Sequence, residues 1–223
     1  MNGLGKRSKW ALPGLLGVCI GWAAAPEVKA QAANSVTGQA TGTFAATPLG
    51  SLASVPLVTL PADGGMATGE EAGVDVIGVL QAQGLAAVTT GVIGENASSA
   101  QSLATASDVS ILNGVVTAKG VTAMASSASN GIQATSTDAG STIVDLVVNG
   151  VSMGVVSPAP NTTINVPAVG TVILNEQVAT GGGVTDKGLG VTMIHVILND
   201  PLTGVKTGDI VVGSASSYTN FVR

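Results

Sequence analysis

The sequence predicts an all-β chain: a single-domain β-sandwich or irregular barrel of short antiparallel strands following an N-terminal signal peptide. Three observations carry this. Roughly ten to twelve short runs of alternating or continuous apolar residues recur at regular spacing, separated by Gly, Asn and Pro turns. The apolar residues are Val, Ala, Leu and Ile with almost no aromatic rings, side chains that suit closely packed sheets. Asn-Gly dipeptides, which accept positive φ, stand between such runs at Asn113-Gly114 and Asn149-Gly150 and mark tight hairpins.

The first thirty residues are read as an address. Lys6, Arg7 and Lys9 form a basic region, residues 10–25 an apolar run of secretory length, and Val28-Lys29-Ala30 a cleavage signal before Gln31, with Ala30-Gln31-Ala32 as the competing site. Lipid attachment at Cys19 is disfavoured, because Val18 stands where a small residue is needed and the cut would fall inside the apolar run. Removal of this leader takes away Cys19, Trp10 and Trp22. It leaves Phe44, Tyr218 and Phe221 as the aromatics, and four basic residues (Lys119, Lys187, Lys206, Arg223) against twelve acidic ones, a net charge of −8. Such a surface suits neither nucleic acid nor anionic lipid, whose binding draws on basic groups. No membrane insertion is expected after cleavage. Without cysteine there is no disulfide framework, so stability rests on a buried core, for which about 190 residues suffice.

Residues 31–70 read as a Gly/Thr/Pro-rich N-terminal segment of edge or extended strands, and residues 71–223 as the β domain. Within the first, residues 36–46 alternate small side chains as a strand. Residues 49–60, punctuated by Pro48, Pro56 and Pro61, read as an edge strand, and residues 62–69 as a loop. Residues 74–80 and 85–93 read as a pair joined across 81–84. Residues 98–106 fit a strand or a short helix, since periodicity does not arbitrate at that length. Hairpins follow at 108–125 and 142–156. Residues 162–166 and 171–177 form another, with Val172, Leu174 and Glu176 on one face and Ile173, Asn175 and Gln177 on the other. The segment from Ile111 through Lys119 to Ser127-Ala128-Ser129 parallels Ile197, Lys206 and Ser214-Ala215-Ser216; shared hairpin grammar or chance accounts for this better than duplication.

Reactive residues are sparse. Gly150-Val151-Ser152-Met153-Gly154 satisfies G-x-S-x-G, and Asp186 and His195 follow in an order open to a hydrolase. That motif, however, needs a strand-to-helix turn, and here a hairpin and more strand surround it. His195 reads as a strand residue on a partly solvated face beside Met193 and Ile197. Asp63, Glu70, Glu71 and Asp75 lack the spacing of a calcium loop and read as a solvated acidic stretch. Gly181-Gly182-Gly183 reads as a hairpin tip, lacking the partners of a phosphate loop. Asn96 and Asn161 are formal glycosylation acceptors. No catalytic, cofactor or metal residues are assigned.

Several segments resemble the bacterial "choice-of-anchor P" surface proteins. They are Asp108–Ala118, Ala139-Gly140-Ser141-Thr142 with Leu146-Val147-Val148-Asn149-Gly150, Asn161-Thr162-Thr163-Ile164, Leu174-Asn175-Glu176-Gln177, Val191-Thr192-Met193-Ile194-His195-Val196 and Gly208–Ala215, spread over about half the chain. The resemblance implies an exported, often surface-attached bacterial protein and brings no functional residues. Residues 214–223 depart from it in lacking a sorting motif or apolar tail, which implies release or retention by partners. The resulting expectation is a secreted or cell-surface, non-catalytic structural or adhesive protein. It would self-associate through strand edges, for example by donating residues 31–46 to a neighbour, or engage a surface polymer or another envelope protein. The alternatives are a secreted hydrolase using Ser152 and a carbohydrate- or surface-binding module, to which the shortage of aromatics is adverse.

Overall fold

The structure, a computed structural model, describes residues 33–223; the expected signal peptide and its candidate cleavage sites lie outside the described residues. In chain order the strands are β1 (Ser35–Thr47), β2 (Gly50–Thr59), β3 (Gly65–Val76), β4 (Leu80–Ile93), β5 (Ser98–Ile111), β6 (Val116–Ser129), β7 (Ala134–Thr137), β8 (Thr142–Val148), β9 (Val151–Val156), β10 (Thr162–Val166), β11 (Gly170–Thr180), β12 (Asp186–Asn199) and β13 (Lys206–Asn220). They form two antiparallel sheets, β10-β11-β12-β13-β1-β2 (sheet A) and β3-β4-β5-β6-β8-β9 with β7 beside β6 (sheet B). The protein is an all-β sandwich. Nearly every strand pairs with its sequence neighbour, and β13 returns to pair with β1, so the order is an up-and-down meander left open at two seams, β2/β3 and β9/β10.

Several strands are longer than the sequence runs suggested, for one physical reason. In each long strand the inward-facing series changes parity once, so a single strand reads as two short ones. Sheet B bears a row of left-handed residues at Gly84, Asp108, Asp145 and Gly154. The row crosses neighbouring positions of β4, β5, β6 and β8, where Gln83 pairs with Ser107, Ser107 with Gly120, and Gly120 with Val144. In β5 the buried series 98, 100, 102, 104, 106 is continued by Val109 and Ile111, the step falling at Asp108. Sheet A repeats the device at Asn175, at Met193-Ile194 and at Gly213. Residues 98–106 are therefore strand, not helix, and 108–111 belong to the same strand, with Leu112 opening the turn.

Further differences follow from turn chemistry. The β3–β4 turn lies at Ile77-Gly78-Val79, where Gly78 has φ 74° and Val79 N–H closes on Val76 O at 2.8 Å. Residues 81–84 are instead the bulge of β4. The stretch 62–69 is loop only to Gly64, since β3 begins at Gly65. The boundary drawn at residue 70 falls inside β3, and the described residues form one compact unit. β2 is the edge strand expected from its prolines, whereas β1 is not an edge: it lies between β13 and β2, with Ala40 and Thr43 fully buried. Donation of residues 31–46 to a neighbour would vacate the middle of the chain's own sheet.

The bulge rows divide the core into two halves. On the side of the β1–β2, β5–β6, β8–β9 and β12–β13 turns, large aliphatics meet, among them Leu80, Ile111, Leu146, Leu174, Ile194 and Ile210. On the other side the inner faces carry Ala87, Ala104, Ala123, Ala125 and Ala215 with buried hydroxyls, and the sheets approach closely enough to bond across the core. Ser127 Oγ lies 2.8 Å from Ser217 Oγ, Ser129 Oγ donates to Thr185 O at 2.8 Å, and the hydroxyls of Ser98 and Thr219 touch. Ser127 and Ser217 thus join β6 to β13, members of the two hairpins that parallel one another in sequence. Outward faces are hydroxyl- and amide-rich, for example Thr105, Thr122 and Thr142 across β5, β6 and β8. Apolar-in and polar-out is the reverse of a transmembrane barrel.

Candidate functional site

The hydrolase-like residues are not brought together. Ser152 lies exposed in edge strand β9 of sheet B, following the Asn149-Gly150 turn, with no helix after it. Asp186 opens β12, where its carboxylate accepts from Gly183 N–H at 3.1 Å and the Tyr218 hydroxyl lies 3.4 Å away. His195 is on the outer face of sheet A, engaged elsewhere.

The surroundings of His195 form the densest charged cluster of the described residues. Its neighbours Ile194 and Val196 are buried, which turns the imidazole outward. Nδ1 lies 2.7 Å from Glu176 Oε2 on β11, and Nε2 lies 2.9 Å from Asp209 Oδ1 on β13. Lys206 Nζ is 2.7 Å from the same Asp209 oxygen. With a carboxylate at each nitrogen, the ring donates to both only when it carries two protons. Burial pushes the Asp209 carboxyl up, but the hydrogen bonds from Lys206 and His195 overcome it and hold Asp209 below the usual carboxylate range. The cluster ties three neighbouring strands together. Its nitrogens are committed to carboxylates on opposite sides, an arrangement that neither converges on a metal nor leaves a free base. Met193, expected beside His195, is fully buried instead, because the inward series of β12 changes parity there and takes in both Met193 and Ile194.

A second network has no counterpart among the motifs of the sequence. Asn175, at φ 50° and buried, is where the inward series of β11 changes parity. Its Nδ2 donates to Asp138 Oδ2 at 3.0 Å and to Pro158 O at 2.8 Å, and its Oδ1 accepts from Gln177 Nε2 at 3.1 Å. Gln177 Nε2 also reaches Asp138 Oδ2 at 2.6 Å, and Gln177 N–H donates to Asn161 Oδ1 at 2.9 Å. The side chain of Asn161 is therefore used within the fold. The three residues Asn175-Glu176-Gln177 act in two directions. Asn175 and Gln177 clamp the β7–β8 and β9–β10 connections onto sheet A, while Glu176 turns outward to His195. The left-handed turn of the backbone at Asn175 puts Glu176 on the face of Ile173, opposite to Val172 and Leu174. Three consecutive polar residues in a central strand were the available signal.

The acidic stretch lies along edge strand β3. Glu70 and Glu71 pair opposite Ala86 and Leu85, Asp75 accepts from Gln81 Nε2 at 3.1 Å, and Asp63 precedes the strand. No group of three or more His, Cys, Asp or Glu is disposed to hold a metal among the described residues. Gly181–Gly183 form the tip between β11 and β12, and Asn96 sits exposed before β5. Two grooves remain. One, of about 470 Å³, lies at the sheet B bulges between Asp108, Lys119 and Asp145, with Lys119 Nζ 2.9 Å from Asp108 Oδ1. The other, of about 300 Å³, occupies the β9/β10 seam and is lined by Val148, Val151, Met153, Ile164 and Val166, with Asn149 and Asn165 at its rim.

No protein-family model and no curated protein matches the chain. The crystal structure of Neisserial surface protein A (NspA) aligns over 84% of this chain and 97% of its own, at 13% identity and a TM-score of 0.15, a likeness that carries no argument about fold or function.

Proposed function

We propose that this chain is an exported, non-catalytic structural or adhesive protein of the bacterial cell surface or extracellular matrix, which self-associates through strand edges. The observation that carries the reading is an uncommitted pair of edges: β9 and β10 face each other across an apolar groove without pairing. Exposed edges are templates for further strands. The non-catalytic part is supported by the dispersal of Ser152, Asp186 and His195 over two sheets. Export and surface location draw on the leader-like first thirty residues and on the resemblance to choice-of-anchor P proteins.

The test is the mass of residues 31–223 by light scattering over a hundredfold dilution, alongside labelling by a serine-reactive phosphonate. The reading expects masses above the monomer at the concentrated end and no label. A monomer throughout, or labelling lost in Ser152→Ala, would replace it with a soluble binding domain or a hydrolase respectively.

A further inference from the structure

The four sheet edges are not equivalent. β3 carries Glu70, Glu71 and Asp75, charges that repel a like copy of an acidic chain. β2 contains Pro56, which lacks the N–H a ladder needs, and its seam to β3 is filled: a Cβ on Gly69 would lie 2.8 Å from Val58 and 3.3 Å from Pro56. The β9/β10 seam has neither defence. Residues 146–175, which build both of its banks, contain no charged residue. Three large apolar side chains stand open on β9, Val151 at 65%, Met153 at 40% and Val155 at 68% exposure, and the first two line the groove. Gly154, at φ 68°, marks a register shift against β8, and Val151 and Ser152 keep regular pairing with Val148 and Val147.

We infer that the β9 edge is a self-docking site, taking the β9 edge of a second copy antiparallel about a two-fold axis. This rests on the self-association proposed above and names the surface that performs it. Charge selects the occupant. Residues 33–223 carry four basic and twelve acidic side chains, so two copies repel wherever acidic faces meet. An uncharged strand is complemented by another uncharged strand, and each copy supplies one. A two-fold arrangement makes the patch self-complementary: Val151 and Met153 of each copy cover the groove of the other, and the free backbone groups of both edges pair.

Disulfide trapping tests the assignment, since residues 31–223 contain no cysteine. Met153→Cys and, separately, Val151→Cys are oxidised with glutathione disulfide beside Leu57→Cys on β2 and Met66→Cys on β3, after circular dichroism has shown each variant to be folded. Covalent dimer at the β9 positions, at least tenfold above that at Leu57 or Met66, is the expected result. Dimer at Leu57 or Met66 in equal or greater yield would overturn the assignment of the edge while leaving self-association intact. No dimer at any position, with a monomeric mass before oxidation, would overturn both.

Discussion

Replacing Asn175 removes the one side chain that holds two connections against sheet A. In Asn175→Ala three hydrogen bonds disappear. Two are to neutral partners, Pro158 O and Gln177, each worth about 1 kcal/mol net; the third, to the Asp138 carboxylate, is worth about 2 kcal/mol. Alanine must also adopt φ 50°, which asparagine tolerates and alanine does not, adding about 1 kcal/mol. Asp138 and Gln177 are half-buried and recover some hydration, so the expected loss is about 3 to 4 kcal/mol. For a domain of this size that lowers the melting temperature by about 6 to 16 °C. Asn175→Gly relieves the backbone and should recover about 1 kcal/mol relative to alanine. Urea unfolding of the three proteins, followed by far-ultraviolet circular dichroism, gives both differences. A loss below about 1 kcal/mol for Asn175→Ala, or a glycine variant weaker than the alanine one, would refute the clamp.

Other perturbations probe the rest of the fold. Leu174→Ala empties a fully buried site in the aliphatic half of the core and should cost about 3 kcal/mol, measured by the same unfolding assay. Gly170→Ala would drive a Cβ into the Ile197 carbonyl oxygen at φ 140°, where only backbone movement relieves the clash; the hairpin joining β10 to β11 should lose protection in hydrogen exchange. Asp209 is held below the ordinary carboxylate value in the folded state, so its stabilising contribution is present above about pH 4 and disappears as pH falls through the depressed value. The stability difference between the protein and Asp209→Asn should therefore narrow between about pH 5 and pH 2, and a difference that widened would contradict the pairing with Lys206 and His195.

Much of the architecture was legible in local patterns. The Asn-Gly dipeptides at 113–114 and 149–150 marked their hairpins because positive φ is a local demand, met at 54° and 90° in the first pair and at 49° and 79° in the second. Pro56 placed β2 at an edge because a missing N–H is equally local. Strand length was not legible. At Asp108, Asp145, Asn175 and Gly213 the inward series changes parity, and a pattern read with period two breaks there although the hydrogen-bonded strand continues. The same effect misplaced Met193 and Glu176. The site was hidden for a different reason: Asp138 meets Asn175, and Glu176 meets His195, across separations of 37 and 19 residues that topology alone determines. The G-x-S-x-G match at Ser152 needed a helix that the sequence does not supply, and the strand that replaces it belongs to the exposed seam.

If copies meet through the β9 edge, a single charge placed there should keep them apart. Sedimentation velocity of residues 31–223 and of Met153→Lys, at matched concentrations, compares the two species without a cross-link. A dimer or larger species is predicted for the first and a folded monomer for the second, because a desolvated lysine opposite its own copy prevents the edges from pairing. Identical sedimentation of the two proteins, both monomeric or both assembled, would contradict docking at this edge.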